Sequence, residues 1–309
     1  SGEGWYGANT NPSISTAPYI EIVPGSSRYR FNGWTTTDMA DVTDPSSRST
    51  TVKMDKAKTV TANYVIQYKI TFDQTGVGND FTGTVATIDG TNYGLGGTNT
   101  LPSSFWWDKD STHSFAFQSP LAVGSDKQYL WVSTTGVSTS QSASTTISSS
   151  WSMTGKYKTR NLLSLIFTPP EVAWTLAMSN STWYDAGTTA KLGPVPQLIP
   201  TSSVEQLALI SWNVDGLTQQ GTSIDVPMNG PHRVELIYRT QYYLQVISRL
   251  GQTTGSGWYF AGEKARFSVI YSESDFPVKY RLANWQPNPL TRITVVSATE
   301  AEVNIDHAY

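Results

Sequence analysis

A tryptophan-centred phrase that returns along the chain limits its fold more than any other feature. Gly4-Trp5-Tyr6 stands near the start, Thr182-Trp183-Tyr184-Asp185-Ala186-Gly187 in the middle and Gly257-Trp258-Tyr259-Phe260-Ala261-Gly262 late. Each is followed by an alternating segment and a second tryptophan, in Asn32-Gly33-Trp34, Ile210-Ser211-Trp212 and Ala283-Asn284-Trp285. The units close on Val60-Thr61-Ala62-Asn63-Tyr64, Val234-Glu235-Leu236-Ile237-Tyr238 and Val303-Asn304-Ile305-Asp306. Such self-similarity means one supersecondary unit used several times. A divergent copy fits residues 68–167, with Ser104-Phe105-Trp106-Trp107 and Leu130-Trp131-Val132 in the two tryptophan places. Its Ser/Thr run over 138–150 reads as an insertion or a long exposed hairpin. The spacing predicts four repeats, 1–65 (with its first strand missing), 66–168, 169–239 and 240–309, within the two to four units that 309 residues allow.

Between these markers the local pattern has period 2, the signature of half-buried strands. Tyr68-Lys69-Ile70-Thr71-Phe72, Tyr242-Tyr243-Leu244-Gln245-Val246 and Ile293-Thr294-Val295-Val296 read as strands. So does Val172-Ala173-Trp174-Thr175-Leu176, ahead of Trp183. Asn32-Gly33, Asp89-Gly90, Asp215-Gly216 and Asn229-Gly230 read as turns. Residues 204–210 are the best helical candidate and fit a strand equally well. Aromatics at 12% against 15% charged residues suit aromatic inner faces and Ser/Thr outer faces. The expected fold is all-β, a row of tandem immunoglobulin-like β-sandwich domains.

Several function classes drop out. Cysteine is absent, which removes disulfides, thiolate metal sites and a cysteine nucleophile, and in a Ser/Thr/Tyr-rich β chain leans towards an extracellular setting. With a formal net charge of -3 and scattered basic residues there is no stripe to neutralise phosphates, so nucleic acid is not an expected partner. No apolar run approaches the roughly 20 residues that span a bilayer. His113, His232 and His307 fall in different repeats and carry no hydrolase motif, so no catalytic residue is assigned.

Gly4-Trp5-Tyr6, Tyr29-Arg30-Phe31-Asn32-Gly33-Trp34, Val52-Lys53-Met54-Asp55 and Lys58-Thr59-Val60-Thr61-Ala62-Asn63-Tyr64 together resemble a repeat of archaeal and bacterial cell-surface proteins. The unit is similar to divergent internalin-type B-repeats and to archaeal S-layer, filament and exported-protease ancillary modules. The first unit matches closely, the third and fourth keep the tryptophans and the last strand, and the second matches weakly. The resemblance implies a tandem extracellular role in spacing, lattice building or adhesion, with other copies or neighbouring surface proteins as partners. The alternative is a carbohydrate-binding or spacer region of an exported enzyme, with polysaccharide as ligand.

Trp34, Trp212 and Trp285 are expected to fill cores, and Trp5, Trp183 and Trp258 cores or contacts between units. Trp106 and Trp107 are adjacent on a predicted strand, so one faces outward as an interface anchor or a sugar-stacking platform, the interface being preferred. Asp38, Asp41 and Asp44 form the candidate calcium loop and Asp108 with Asp110 a second acidic pair, though neither has a calcium-loop signature; a solvated acidic loop is preferred and no cofactor is assigned. Asn180-Ser181-Thr182 is a glycosylation sequon. An alternating strand precedes the Trp-Tyr phrase in the third and fourth units but not in the first. The first sandwich is therefore expected to receive a strand from upstream sequence or from a neighbouring chain.

Overall fold

The computed structural model of the chain describes residues 1–270, 284–285 and 293–307, and it is an all-β protein. Ala283 of the last tryptophan phrase and the terminal Tyr309 lie outside the described residues. No helix among the described residues is long and apolar enough to cross a membrane. The chain forms two compact units, Ser1–Arg160 and Asn161–Tyr309.

The first unit opens with β1 (Ser13–Ser15), β2 (Tyr19–Val23), β3 (Ser27–Thr36), β4 (Ser49–Thr51) and β5 (Val60–Thr75). Strand β1 pairs with β4, and β2, β3 and β5 form an antiparallel run. Ile14, Phe31, Trp34, Val42 and Val52 are buried between them as one hydrophobic cluster. There follow β6 (Thr84–Ile88), β7 (Thr91–Gly94), β8 (Ser103–Asp108), β9 (Thr112–Phe117), β10 (Leu121–Val123), β11 (Lys127–Thr135), β12 (Ser142–Thr146) and β13 (Trp151–Thr168). Strands β12, β9, β6 and β7 make a four-stranded sheet. Its Val85, Ile88, Phe115 and Phe117 meet Ile70, Phe72, Met153 and Tyr157 from β5 and β13 in a second cluster.

In the second unit, the later half of β13 is followed by α1 (Val172–Leu176), β14 (Ser181–Asp185), β15 (Thr189–Leu192), β16 (Leu198–Pro200), β17 (Glu205–Val214), β18 (Leu217–Gln219), β19 (Ile224–Pro227) and β20 (His232–Leu244). Ala190, Leu192, Ile224 and Val226 of the β15–β19 ladder face Leu163, Leu165, Trp212, Val234 and Leu236 in a third cluster. Then come β21 (Gln252–Thr254), β22 (Gly257–Phe260), β23 (Lys264–Ile270), β24 (Ile293–Ser297) and β25 (Glu300–Asn304), with a fourth cluster around Leu244, Phe267, Val303 and Ile305. The clusters sit between two ladders each, a sandwich-like arrangement.

Long strands serve two clusters in succession. Strand β5 gives Val60, Ala62 and Tyr64 to the first cluster and Tyr68, Ile70 and Phe72 to the second. Strand β20 gives Val234, Leu236 and Tyr238 to the third and Tyr242 and Leu244 to the fourth. Residues 65 and 239, where the repetition in the sequence changes phase, therefore lie inside continuous strands, and 168 ends β13. Alternation through such a strand carries no break, because the same side-chain period is needed on both sides.

Four readings of the sequence need correction. Residues 172–176 form α1 and not a strand. Val172 and Leu176 are also spaced i, i+4, so Val172 is fully buried while Trp174 turns outward at 85% exposure, and Pro169-Pro170 just upstream favours a helical start. Asn32-Gly33 is no turn: Gly33, at φ +121°, forms a bulge inside β3 against β5. The Ser/Thr run over 138–150 is not a free exposed hairpin, because β12 pairs with β9 and Ile147 is fully buried. Finally, β25 does not take the place of the closing runs in β5 and β20. It pairs with β23 as β4 pairs with β1 and β19 with β15, so the alternating run around Val303 corresponds to Val52 and Val226. The ambiguous segment 204–210 is strand, within β17.

A tyrosine closes each of three clusters. Tyr64 Oη donates to Ala17 O (3.1 Å), Tyr157 Oη to Gln118 O (2.9 Å) and Tyr238 Oη to Pro196 O (2.5 Å). Burial raises the Tyr238 hydroxyl from 10 to about 12 and pushes Tyr157 up further. An unfolded tyrosine ionises near 10 and the folded one does not until about 12, so the second unit loses stability between those pH values, by about 2 kcal/mol at the upper end. Denaturation of the Tyr238→Phe variant across that window is expected to show this slope removed, after a loss of about 1 kcal/mol at neutral pH. An unchanged slope would assign the alkaline loss elsewhere.

Candidate functional site

The four tryptophan phrases build the same turn. The residue four positions after the first tryptophan has a left-handed backbone: Asn9 (φ +60°), Asp110 (+66°), Gly187 (+80°) and Gly262 (+86°). Asn, Asp and Gly tolerate this region best. Its N–H donates to a carbonyl just beyond the end of the facing strand, Asn9 to Met54 (2.6 Å), Asp110 to Ile147 (2.8 Å), Gly187 to Met228 (3.1 Å) and Gly262 to Ile305 (2.6 Å). The N–H of that Met or Ile returns to the next residue's carbonyl, on Thr10, Ser111, Thr188 and Glu263 at 2.8–2.9 Å. In three copies a hydroxyl locks the turn: Thr10, Ser111 and Thr188 donate to the carbonyls of Gly7, Asp108 and Asp185. Ile147, Met228 and Ile305 are fully buried, so these three clasps pin their turns to a core.

The paired aromatics split by side. Trp107, Tyr184 and Tyr259 pack on their clusters, while Trp106 and Trp183 are half-buried and Trp258 is exposed, edge-on to Tyr243. The first copy departs from this: Trp5 is completely exposed and Tyr6 is 39% exposed. Trp34 and Trp212 are buried, their Nε1 donating to Ser47 O (2.9 Å) and Gly221 O (3.0 Å). Trp285 packs edge-on to Phe267 with centroids 4.7 Å apart. Trp106 is no open platform, because the Arg28 guanidinium lies 4.1 Å over its ring and 3.8 Å over that of Tyr19. Arg28 also donates to Gln67, which donates to Asp108, itself paired with Arg30 at 2.8 Å. The Arg30 guanidinium first, and Gln67 beside it, hold the Asp108 carboxyl below the usual carboxylate range.

Asp38, Asp41 and Asp44 are not gathered around one point. Asp38 caps the turn at Ala40, Asp41 pairs with the buried Lys58, and Asp44 accepts from Ser46 and Ser47. No group of three or more metal-ligating side chains occurs among the described residues.

One constellation resembles a nucleophile with its base. Ser111 Oγ is 2.9 Å from His113 Nε2, and His113 Nδ1 is 2.6 Å from Asp89 Oδ2. The Ser111 hydroxyl, however, donates to Asp108 O at 2.5 Å, so its proton is committed to a backbone carbonyl and not offered to the imidazole as general-base geometry requires. The Asp–His pair also recurs without a serine: His232 Nδ1 lies 2.6 Å from Asp215 Oδ2 and its Nε2 faces Pro227 O. In both copies the Asp, first residue of an Asp-Gly turn at positive φ, accepts the N–H after the histidine at 2.8 Å, from Ser114 and Arg233. Burial raises the Asp215 carboxyl, but the Arg233 N–H and His232 more than offset it and leave it lowered. These pairs fasten hairpins. His307 stands apart, paired with Asp306 at 2.5 Å. The spacing of neither Asp–His pair stands out in the sequence, since the partners are 24 and 17 residues apart.

Asn180 is exposed directly before β14. Natively produced protein is expected to carry a hexose-type mass increment on the Asn180 peptide, lost in Asn180→Gln; an unmodified native peptide would contradict this. No family model matches the chain, and neither a curated protein nor a solved structure matches it.

Proposed function

We propose that the chain is a structural or adhesive segment of an extracellular cell-surface protein, of the S-layer lattice or surface-filament kind. It is read as four immunoglobulin-like sandwich repeats in a row, acting through packing between repeats and between copies. The observation that carries this reading is the fourfold clasp, joined by strands that each serve two cores. The polar groups that could do chemistry are spent on fastening turns, at Ser111, His113, His232, Asp89 and Asp215. Repetition with shared strands transmits force and sets spacing, which is what a lattice or filament needs.

A second reading, a carbohydrate-binding or spacer region of an exported enzyme, draws on the exposed rings of Trp5 and Trp174. Electron microscopy of the natively assembled protein separates the two. A regular lattice or fibre supports the structural reading; a dispersed monomer retained on a polysaccharide column overturns it in favour of the second.

A further inference from the structure

The four clasps allow the cores to be compared position by position, and the first differs from the second and third at one place. In three clasps the residue that follows the facing strand stands ten residues before the closing tyrosine: Met54 and Tyr64, Ile147 and Tyr157, Met228 and Tyr238. Between them, Met153 corresponds to Val234 and to Val60, and Leu236 to Ala62. Ile147, Met153, Met228, Val234 and Leu236 are all completely buried. Met54, Val60 and Ala62 are only partly buried.

The cause is a strand. In the second cluster β5 lies parallel to β13, with Phe72 beside Met153; in the third β13 lies parallel to β20, with Leu165 beside Val234 and Phe167 beside Leu236. On its far side that same strand pairs with a tryptophan phrase, Tyr68 facing Trp107 across β5 and β8. In the first cluster residues 60–64 pair with β3 on one edge, and no described strand lies along the other. The phrase at residues 4–6 is not a strand, and Trp5 projects into solvent. A cavity of about 560 Å³ opens here, lined among others by Ile14, Trp34, Val52, Met54, Val60 and Ala62.

We propose that this groove is a strand-acceptor site and that its occupant is the last strand of another repeat of this same kind. The strand lies parallel to residues 60–64, places apolar side chains at alternate positions over Val60 and Ala62, and offers its other edge to residues 4–6. Both backbone edges and the apolar gap are matched by the strand type that β5 and β13 already supply one repeat further on. The proposal deepens the structural reading, since it names how one repeat joins the next.

The test uses the full chain and a synthetic peptide of residues 65–75, the part of β5 that completes the second cluster. Hydrogen exchange is followed by mass spectrometry with and without the peptide. Exchange over residues 1–16 and 52–64 is expected to slow by about tenfold or more at saturating peptide and to stay unchanged elsewhere. A control peptide of the same composition, with its apolar residues moved side by side, is expected to have no effect. No slowing, equal slowing with the control, or slowing confined to the second cluster would each overturn the proposal. Because the measurement reads one groove in a single chain, a missing lattice in the microscope would leave its result standing.

Discussion

Replacing Trp212 by Ala is expected to remove about 4 kcal/mol from the second unit, because it empties a fully buried indole site and strands the Gly221 carbonyl that its Nε1 satisfies. Trp212 is the largest completely buried side chain in the protein's described residues, set among Leu163, Leu165, Val234 and Leu236. In denaturant, the transition of residues 161–309 is expected to move to markedly lower concentration while that of the first unit holds. Trp5→Ala should shift neither by more than about 0.5 kcal/mol, since its ring touches no core. Equal effects of the two substitutions would mean that the tryptophans do not divide into core and surface as described.

Leu165→Pro should have an effect of similar size for a different reason. The Leu165 N–H donates to Asn180 O at 2.7 Å, and the residue lies beside Val234 in the parallel ladder of β13 with β20. Proline removes the donor, and the buried leucine side chain is lost with it, together about 4 kcal/mol or more. Ser164→Ala, on the opposite face of the same strand, is expected to stay within about 0.5 kcal/mol. Hydrogen exchange resolved by segment should show the third cluster opening in the proline variant. A third cluster that remains protected would show that β13 is not the strand that completes it.

The strands and the tryptophan phrases were legible because both are local: a period of two, and an aromatic pair followed by a residue that accepts a left-handed backbone. What the pattern did not reveal was long-range. The facing partners Met54, Ile147, Met228 and Ile305 are ordinary apolar residues, and only pairing shows that they hold the clasps. Without them the alternating run around Val303 aligns with the wrong strand. Residues 172–176 read as a strand because apolar residues at i, i+2 and i+4 satisfy a strand, while i and i+4 alone satisfy a helix; the two prolines upstream are the signal that separates the two. At the candidate site, the inward and outward halves of Trp106-Trp107 followed from strand geometry. Arg28 over Trp106 did not, since β3 and β8 are brought together by β5.

The central claim, a structural element displayed outside the cell, is tested most directly by protease shaving of intact cells that make the protein, with the released peptides identified by mass spectrometry. Peptides cut at exposed segments, such as those around Trp174 and Leu217, are expected in the released fraction while cytosolic markers stay inside. The same peptides recovered only after lysis, together with those markers, would contradict it.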